Sequence, residues 1–493
     1  MGNLKRRGVL MGGGAALGAA AMGKWGDNLP VMEGTRPFPA TPEGTILNDA
    51  SELNPTTIFK HVTSNSGRSA QHQEIRDHIV DARQNNRPFN IGAARHSMGG
   101  QAIPKNGTAL TLDNSEIEID KDSMTYRVHA GARWSQVIAA LDAQGFSPKV
   151  MQSNNDFGVA ATFSVNAHGW AAPLGPMGAT VREIELVLPN LDIITASRTE
   201  NPDIFAMAMG GYGLIGAITS LVVEMVPNQR LDPTFEKMPA TDFAAGFTST
   251  LNDPSVNMAY GRLNVQRGSF FEEALLISYR ASDDQSDLPP ASGSGMMSHL
   301  ASRLYRTQLG NEPMKAFRWW VEAGLGPRIS GEATRNSLIN EPVVTLDDRN
   351  PDRVDILHEY FVSPDRFNEF LDICQRIIPA SYQEFLNVTL RYVDHDPVSV
   401  LSYAWKPRIA AVMSFSQELT QRAEADMQRM TQALVEAVIG IDGAYYLPYR
   451  QHPTLDQFNR CYARSGDFAA QKRALDPNLV LRNNLWDQYL GGL

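Results

Sequence analysis

Hydrophobic and polar positions follow two different periods between residues 51 and 227. Apolar residues three and four positions apart predict helices, whereas short β-branched runs predict strands. One helix face consists of Trp134, Val137, Ile138 and Leu141. Gly145 is expected to end that helix. The predicted strands are residues 89–92, 183–188 and 218–226. This mixture predicts an α+β domain of ordinary size.

The pattern changes after Pro227, where strand-like runs are separated by amphipathic helices. The predicted strands are residues 258–265, 274–279, 356–362, 387–393 and 409–415. The predicted helices are residues 364–378 and 419–439. Such an alternation indicates an antiparallel sheet covered by helices. No fixed-period repeat is present, which argues against solenoids and propellers.

An insert at residues 287–352 interrupts these strands. It contains a Ser/Gly-rich loop and a helical pattern that carries Met314, Phe317, Trp320 and Val321. Two interpretations fit this composition. The helix is either a cap packed on its own domain or a surface that faces lipid.

The first residues have the composition of an export signal. Lys5, Arg6 and Arg7 precede a short Gly/Ala-rich stretch, and Ala19 and Ala21 occupy the positions of a cleavage site. This resembles a twin-arginine signal, which predicts a periplasmic or extracellular protein. The alternative is a basic, flexible N-terminus of a cytosolic protein. The stretch is too short and too rich in glycine for a stable transmembrane segment.

We therefore divide the chain into five segments. They are a signal at residues 1–21, a linker at 22–50, a first domain at 51–228, a second domain at 229–440 and a C-terminal segment at 441–493. The resemblance described below implies that the first domain binds the cofactor, that the second binds the substrate and that the C-terminal segment returns to the first.

Charge and cysteine content exclude several classes of function. The net charge of −10 repels nucleic acid rather than attracting it. The two cysteines, Cys374 and Cys461, cannot form a disulfide framework, and no residue cluster has the spacing of metal ligands. Cys374 shares an apolar helix face with Phe370 and Leu371, so we expect it to be buried and unreactive.

A small-residue segment directly after the first predicted strand is a candidate phosphate-binding loop. It contains Gly92, Ala93, Ala94, Arg95, His96, Ser97, Met98 and Gly99. Backbone N–H groups can converge on a diphosphate only where side chains are small. The alternative is a tight turn without a ligand.

A second small-residue segment spans residues 158–169 and would allow a flat ring to approach the backbone closely. Its candidate contact residues are Gly158, Thr162, Ser164, Asn166 and Gly169. A close helix crossing is the alternative. A third segment, residues 211–216, matches the dinucleotide fingerprint but has a predicted helix before it and a strand after it. Because a Rossmann unit needs the reverse order, we interpret these glycines as a loop beside a bound ligand.

Together, the three segments resemble the FAD-binding domain of the vanillyl-alcohol oxidase / para-cresol methylhydroxylase superfamily. That resemblance implies a two-part FAD-binding domain of the PCMH type, plus a substrate domain with an antiparallel sheet and covering helices. The chain end is similar to the closing segment of the family, through Phe468, Lys472, Asp476, Pro477, Asn478 and Asn483.

The middle of the chain resembles the aldonolactone, alditol and decaprenylphosphoryl-ribose oxidase branch, through residues 359–362 and 387–391. Where aldonolactone oxidases carry a Glu-x-Arg pair, this chain has Asn387 and Arg391. Where the ribose oxidases carry a catalytic lysine, it has Tyr449. The resemblance implies that these three residues and His168 are catalytic.

The alternatives remain a satisfied core histidine for His168 and a solvated surface residue for Arg391. The resemblance also implies that Gly216 and Ile218 contact the FAD. His96 occupies the position at which many relatives bind the flavin covalently, and its alternative is a hydrogen bond to the pyrophosphate. Because no cysteine lies between Val150 and Gly158, at most one covalent bond is expected.

The function that this resemblance implies is oxidation of a CH–OH group of a sugar, polyol or lactone-type alcohol, with hydride transfer to flavin N5. The partners would be a small-molecule alcohol and an electron acceptor. One alternative is a flavoenzyme that acts on a lipid-linked sugar or a sterol-like substrate. Another is an exported FAD-binding protein without turnover.

Overall fold

The structure is a computed structural model that describes residues 38–292, 306–326, 331–342 and 350–493. The predicted signal and the first part of the predicted linker lie outside the described residues. The end of that linker, residues 38–50, is described and contains the first strand.

A small parallel sheet begins the fold. The sheet consists of β3 Lys60–Ser64, β4 Phe89–Gly92 and β5 Thr108–Leu112. The paired strands β1 Thr45–Leu47 and β2 Thr56–Ile58 precede it, and helix α1 Arg68–Gln84 lies between β3 and β4 in the chain. The strand order β3-β5-β4 is parallel, and α1 crosses over between β3 and β4. Helix α1 buries Ile75, Ile79 and Ala82, which lie at helical spacing. The strand predicted at residues 89–92 is confirmed.

A second, antiparallel sheet completes the first half of the molecule. Its elements are β6 Ile117–Asp120, β7 Thr125–His129, α2 Trp134–Asp142, β8 Phe146–Pro148, α3 Val159–Ser164, β9 Val181–Val187, β10 Ile193–Ser197, α4 Pro202–Ala208 and β11 Ala217–Pro227. The strand order is β10-β9-β11-β7-β6, with β8 paired to β11. The predicted helix face is confirmed, since all four of its apolar side chains are buried.

A large antiparallel sheet forms the second half of the molecule. Its strands are β12 Arg230–Pro239, β13 Val256–Leu263, β14 Glu273–Ala281, β15 Ala333–Thr334, β16 Arg353–Val362, β17 Glu384–Val393, β18 Arg408–Glu418 and β19 Ala444–Tyr445. Their order is β15-β12-β14-β13-β17-β18-β16-β19. All five predicted strands are present, and the α+β fold class is confirmed.

The helices of this half lie around the large sheet and along the end of the chain. They are α5 Phe243–Leu251, α6 Glu312–Trp320, α7 Arg335–Ile339, α8 Phe367–Ile377, α9 Gln421–Gly440, α10 Leu455–Cys461 and α11 Ser465–Leu475. Apolar side chains of α8 and α9 join one core with the buried sheet face, and both cysteines lie within that core. The expected burial of Cys374 is confirmed.

The insert helix α6 packs on the large sheet through a buried lysine. Lys315 forms ion pairs with Glu312 and with Glu384 of β17. On the opposite side, Phe317 and Trp320 are 39% and 56% exposed and stack on each other. One side of helix α6 therefore packs on its own domain, as the cap-helix interpretation expects, while the outer side of the helix exposes apolar rings.

The end of the chain returns to the first half of the molecule. The backbone N–H of Phe89 donates to the carbonyl of Val480 over 2.7 Å. The side-chain amide of Asn483 donates to the carbonyl of Tyr212 over 2.9 Å. These bonds hold the C-terminal segment against the first sheet and the glycine loop.

None of the helices in the described ranges has the length and apolarity needed to cross a bilayer. The same ranges hold no group of three or more His, Cys, Asp or Glu residues arranged as metal ligands.

Candidate functional site

A cavity of about 1640 Å³ lies between the first half of the molecule and the exposed face of the large sheet. This volume exceeds the roughly 300–1,000 Å³ that is typical of a pocket for one drug-sized ligand. The cavity can therefore hold two ligands at once. One wall comes from small-residue loops, and the other comes from the side chains of β13, β16, β17 and β18.

The loop after β4 forms the start of the first wall. The cavity is lined by Gly92, Ala93, Arg95, His96, Ser97 and Met98. Arg95 has a left-handed backbone conformation with φ of 51°, and its guanidinium group donates to the hydroxyl of Thr111 over 2.6 Å. The loop therefore turns sharply, and the side chain of Arg95 is bonded to β5.

Asp49 from the predicted linker and Asn54, which follows the linker, hold this loop in place. Asp49 accepts a hydrogen bond of 2.8 Å from the backbone N–H of Gly100, and the amide of Asn54 donates to the carbonyl of Met98 over 2.7 Å. Burial raises the pKa of Asp49, and its hydrogen bonds with Ser51, Gly100 and Asn54 oppose that shift. The end of the linker thus belongs structurally to the site, which its Pro/Gly/Thr composition did not predict.

The second small-residue segment lies directly against the first. A Cβ atom on Gly158 would lie only 2.6 Å from Cβ of Ala93, so the two segments meet at a distance that only glycine allows. Helix α3 follows, and its Thr162 and Ser164 line the cavity. The hydroxyl of Thr162 is already bonded to Gln152 and to the indole of Trp134. Its position is therefore fixed by the core.

The third segment closes this wall. Tyr212 and Gly213 both have positive φ, at 55° and 72°, and Gly216 and Ile218 line the cavity. Helix α4 precedes the loop and strand β11 follows it. This order is the reverse of a Rossmann unit, so the rejection of that motif is confirmed.

Five predicted contact residues do not line the cavity: Ala94, Gly99, Gly158, Asn166 and Gly169. Asn166 instead bonds to Asp396 and to the backbone of Gly178. A Cβ on Gly169 would collide with the carbonyl of Met151, and one on Gly99 would lie 2.7 Å from that of Tyr449. These glycines permit close packing of the loops behind the cavity, which a glycine-rich sequence does not distinguish from ligand contact.

A buried pair of ionisable side chains lies at the junction of the two walls. Nε2 of His168 is 2.5 Å from Oε1 of Glu359 on β16, and the two side chains are 3% and 2% exposed. If Nε2–H donates to the carboxylate, Nδ1 is left with a free lone pair. Within the described part of the chain, Nδ1 has no hydrogen-bond partner.

Aromatic rings surround this histidine. The rings of Phe361, Tyr403 and Tyr446 lie 5.4 to 6.1 Å from the imidazole, measured between centroids. Tyr403 is nearly fully buried and donates to the carbonyl of Asn166. The rings therefore leave little room for water behind His168 and hold the imidazole in one orientation.

Tyr449 contacts the same carboxylate. Its hydroxyl donates to Oε2 of Glu359 over 3.3 Å. Burial raises the pKa of the Tyr449 phenol well above its usual value, and the charge of Glu359 adds to that increase. The phenol therefore stays protonated and acts as a donor.

Arg391 lies on β17, where its guanidinium group donates to the hydroxyl of Ser153 and, over 3.4 Å, to the carbonyl of His168. Burial lowers the pKa of Arg391, although Glu359 opposes the shift. Its Nε is buried and makes no hydrogen bond to any described residue. The surface interpretation of Arg391 is therefore wrong, because the cavity encloses this side chain.

Asn387 is also on β17 and lines the cavity, but its carbonyl oxygen accepts a hydrogen bond of 3.1 Å from Arg318. Arg318 belongs to the insert helix α6. Asn387 therefore connects the sheet to the cap, and its amide nitrogen is left to contact a ligand.

His96 stacks on Phe157 with ring centroids 4.2 Å apart, and its Nε2 lies 3.7 Å from the carboxylate of Asp156. Burial lowers the pKa of His96, the charge of Asp156 opposes the shift, and Arg133 adds to it. A lowered pKa favours the neutral imidazole, which has the lone pair that a covalent bond to carbon requires.

Other cavity residues were not identified from the sequence as site residues. Glu359 was noted only within the family pattern of a strand, and Ser153, Trp170 and Arg262 were not noted at all. A charged residue in an otherwise apolar strand is the signal that could have marked Glu359. Trp170 follows two residues after His168 and stacks on Tyr260 at 4.8 Å.

The arrangement fits a flat, phosphate-bearing cofactor. Buried polar atoms without hydrogen-bond partners in the described residues surround the cavity, including Nδ1 of His168, Nε of Arg391 and Nε1 of Trp170. Buried polar groups are almost always paired, so these atoms indicate missing ligands. The small-residue wall allows backbone N–H groups to approach the cofactor, and the sheet wall provides side chains that donate hydrogen bonds.

Comparison with known proteins agrees with this geometry. Residues 68–197 match the family model described as an FAD binding domain. The chain contains an FAD-binding domain. The matched residues include the loop after β4, helix α3 and the His168 segment, which form two of the three segments of this wall, and the third segment, residues 211–216, follows the matched range.

Curated relatives are similar to part of the chain. L-galactono-1,4-lactone dehydrogenase of Brassica oleracea is 28% identical over 146 residues, which are 29% of this chain and 24% of that protein. An alditol oxidase of a Streptomyces strain is 31% identical over 139 residues, 28% of this chain and 33% of that protein. A putative D-arabinono-1,4-lactone oxidase of Neurospora crassa is 30% identical over 120 residues, 24% of this chain and 22% of that protein.

The matched segment thus spans between about a quarter and a third of these relatives' own length. The resemblance to the vanillyl-alcohol oxidase / para-cresol methylhydroxylase superfamily, and to its aldonolactone and alditol oxidase branch, is confirmed, as is FAD as the cofactor. The individual contact residues stay predictions.

Proposed function

We propose that this FAD-binding protein oxidises a CH–OH group of a sugar, polyol or lactone-type alcohol. The observation that carries the proposal is the His168–Glu359 pair, which is buried at the junction of the cofactor wall and the polar sheet wall. Relatives named as an alditol oxidase and as lactone dehydrogenases support the class of substrate.

The pair supplies a proton acceptor. The lone pair on Nδ1 of His168 takes the proton of the substrate hydroxyl, while Glu359 holds Nε2–H. The imidazolium that forms is stabilised by the adjacent carboxylate, as a buried Asp stabilises histidine in hydrolytic triads. When bound, the oxidised flavin supplies an acceptor for the hydride at N5.

Arg391 and Tyr449 position this pair. Arg391 holds the backbone of the His168 segment, and its unpartnered Nε is available to an oxygen of the substrate. Tyr449 keeps Glu359 in place by donating to its second oxygen. Donors that are fixed before the reaction stabilise developing negative charge without reorganisation.

The test uses the yellow, purified protein under anaerobic conditions with alditols, aldoses and aldonolactones. Loss of the visible flavin absorbance with at least one of these alcohols is expected. His168→Asn should slow that loss by about 10²–10⁴-fold. His395→Asn, at an exposed histidine, is the matched control and should be near wild type. An oxidised flavin that no alcohol of these classes bleaches would contradict the proposal.

We also propose a covalent bond between a ring nitrogen of His96 and the C8 methyl carbon of the flavin. This bond would replace an N–H and a C–H bond, and the two electrons released would reduce the flavin, which an external electron acceptor would then reoxidise. The neutral imidazole favoured by burial and its position in the cavity support this bond. After acid precipitation, yellow colour should remain in the pellet of the wild type and move to the supernatant for His96→Ala. Colour in the supernatant of the wild type would overturn the bond.

Export by the twin-arginine route is a further proposal, and it rests on Arg6 and Arg7, outside the described residues. Fractionation of cells that express the full chain tests it. The Arg6→Lys, Arg7→Lys double variant should accumulate in the cytoplasm, whereas equal export of both proteins would contradict the proposed route.

A further inference from the structure

The cavity continues past the His168–Glu359 pair along one face of the large sheet. Alternate residues of β16, from Glu359 back to Arg353, all line it. Residues at alternate positions of a strand share a face. At roughly 3.3 Å per residue, Glu359 and Arg353 are about 20 Å apart. The strip of β16 that lines the cavity is therefore longer than one pentose or hexose unit.

Hydroxyl and amide groups form the floor of this extension. Ser414 of β18 pairs with Asn387 on one side and with Leu357 on the other. Further along, Ser416 pairs with Asp355. We name the surface formed by Arg353, Asp355, Leu357, Asn387, Ser414 and Ser416 the β16–β18 trough.

The cations of the trough are already neutralised by carboxylates. Arg353 lies 3.3 Å from Glu418, and Arg306 forms two short contacts with Asp355, at 2.7 and 2.8 Å. A phosphate or carboxylate on the ligand would have to displace these partners, and breaking a partly buried ion pair costs free energy. The trough therefore favours a polar ligand without charge.

We propose that the β16–β18 trough binds a neutral, hydroxyl-rich chain of more than one sugar unit, whose terminal CH–OH group reaches His168. This rests on the proposed alcohol oxidation at the same cavity. Binding of the distant units would add contacts far from the reacting carbon, and such remote contacts can be used to orient that carbon.

The experiment compares sorbitol, maltitol and maltotriitol, which share one alditol end and differ in the number of glucose units. Titration calorimetry on the oxidised holoenzyme gives each dissociation constant, and anaerobic flavin reduction gives each rate. Maltotriitol is expected to bind at least ten times more tightly than sorbitol. Equal dissociation constants for the three alcohols would overturn the trough.

A variant locates the effect. Ser414→Val removes one hydroxyl group and adds apolar bulk to the floor of the trough. The ratio of the sorbitol to the maltotriitol dissociation constant should fall towards one. Thr234→Val is the matched control, because Thr234 lies on β12 of the same sheet, is exposed and does not line the cavity. An unchanged ratio of the two dissociation constants in Ser414→Val would contradict the proposal that the trough binds the added sugar units.

A fourth probe separates charge from length. A polyprenyl-phosphate pentose that binds more tightly than maltotriitol would overturn the preference for a neutral chain. Failure of the two proposals is distinguishable: sorbitol that bleaches the flavin with no gain from added units contradicts only the trough. Length-dependent binding without bleaching by any alcohol supports the trough and contradicts the proposed oxidation.

Discussion

The two walls of the cavity are built on opposite principles. The FAD-domain wall consists of backbone and small side chains, with Ala93 and Gly158 in a contact that excludes even one extra methyl group. The sheet wall consists of ionisable and polar side chains at alternate strand positions, among them Glu359 and Arg391. The first wall depends on the absence of large side chains, and the second depends on the presence of charged ones.

This difference predicts different sensitivities. Adding atoms to the FAD-domain wall should reduce binding of the cofactor. Removing charge from the sheet wall should reduce chemistry while the flavin stays bound. The following variants test the two walls and the contacts between them.

Glu359→Gln should have the largest effect. The amide keeps the shape of the side chain but cannot stabilise an imidazolium, so kcat should fall by about 10²–10⁴-fold. Anaerobic stopped-flow reduction measures the loss, and the flavin content should remain that of the wild type. Glu236→Gln, at an exposed glutamate of the same sheet, is the control. A kcat within threefold of wild type would remove Glu359 from the mechanism.

The stability of the contacts that join helix α9 to the segment around Asn54 should depend on pH. Glu424 on α9 pairs with Arg450, which donates to the side chain of Asn54 over 2.8 Å. Hydrogen bonds and the charges of His452 and Arg450 lower the pKa of Glu424 from 4.5 to about 2, against the opposing effect of burial. A depressed carboxyl pKa stabilises the fold above pH 4.5, and this contribution disappears as the pH falls towards 2.

Glu424→Gln should therefore lower the free energy of unfolding by roughly 3 kcal/mol at pH 7. The difference from wild type should shrink between pH 4.5 and pH 2. Denaturant unfolding at several pH values measures it, with the exposed Glu436→Gln as the control. A difference that stayed constant over this range would show that charge on Glu424 does not matter.

Gly158→Ala should weaken the FAD-domain wall. The new Cβ would lie 2.6 Å from Cβ of Ala93, and such overpacking costs about 1–3 kcal/mol. The purified variant should carry a smaller fraction of flavin per chain than wild type. Gly440→Ala is the control, because a Cβ there meets no atom within 4 Å. Full flavin content in Gly158→Ala would mean that the loops can move apart freely.

Tyr449→Phe should have the smallest effect. It removes one hydrogen bond of 3.3 Å to Glu359, worth about 1 kcal/mol, which is roughly a fivefold decrease in kcat. Steady-state kinetics with the best alcohol measures it. A decrease beyond a hundredfold would assign Tyr449 a direct part in proton transfer instead of a positioning role.

Some helices and strands could be predicted from the pattern of hydrophobic positions, and others could not. The helix face of Trp134 and Leu141 has a clear helical period, and the structure confirms it. Strand β12 was missed because it carries Pro233 and Pro239 and is mostly exposed, so it has no apolar run. Helix α1 was missed because Gln71, a polar residue, shares its buried face with Ile75 and Ile79.

The composition of each small-residue segment of this wall can be read from the sequence, because within one segment the glycines and alanines are close in the chain and a local loop can expose their backbone groups. The packing of the segments against one another, as in the contact between Ala93 and Gly158, depends on the tertiary structure. The same local information could not separate residues that line the cavity, such as Ser97, from glycines that pack behind it, such as Gly169.

The polar residues of the sheet wall come together only through the tertiary structure. His168 and Glu359 are 191 positions apart in the chain, and their contact depends on how β16 is placed in the sheet. Strand register sets which side chains face the cavity, since a shift of one residue would turn Glu359 to the other face. That register follows from packing of the whole sheet, which no local pattern specifies.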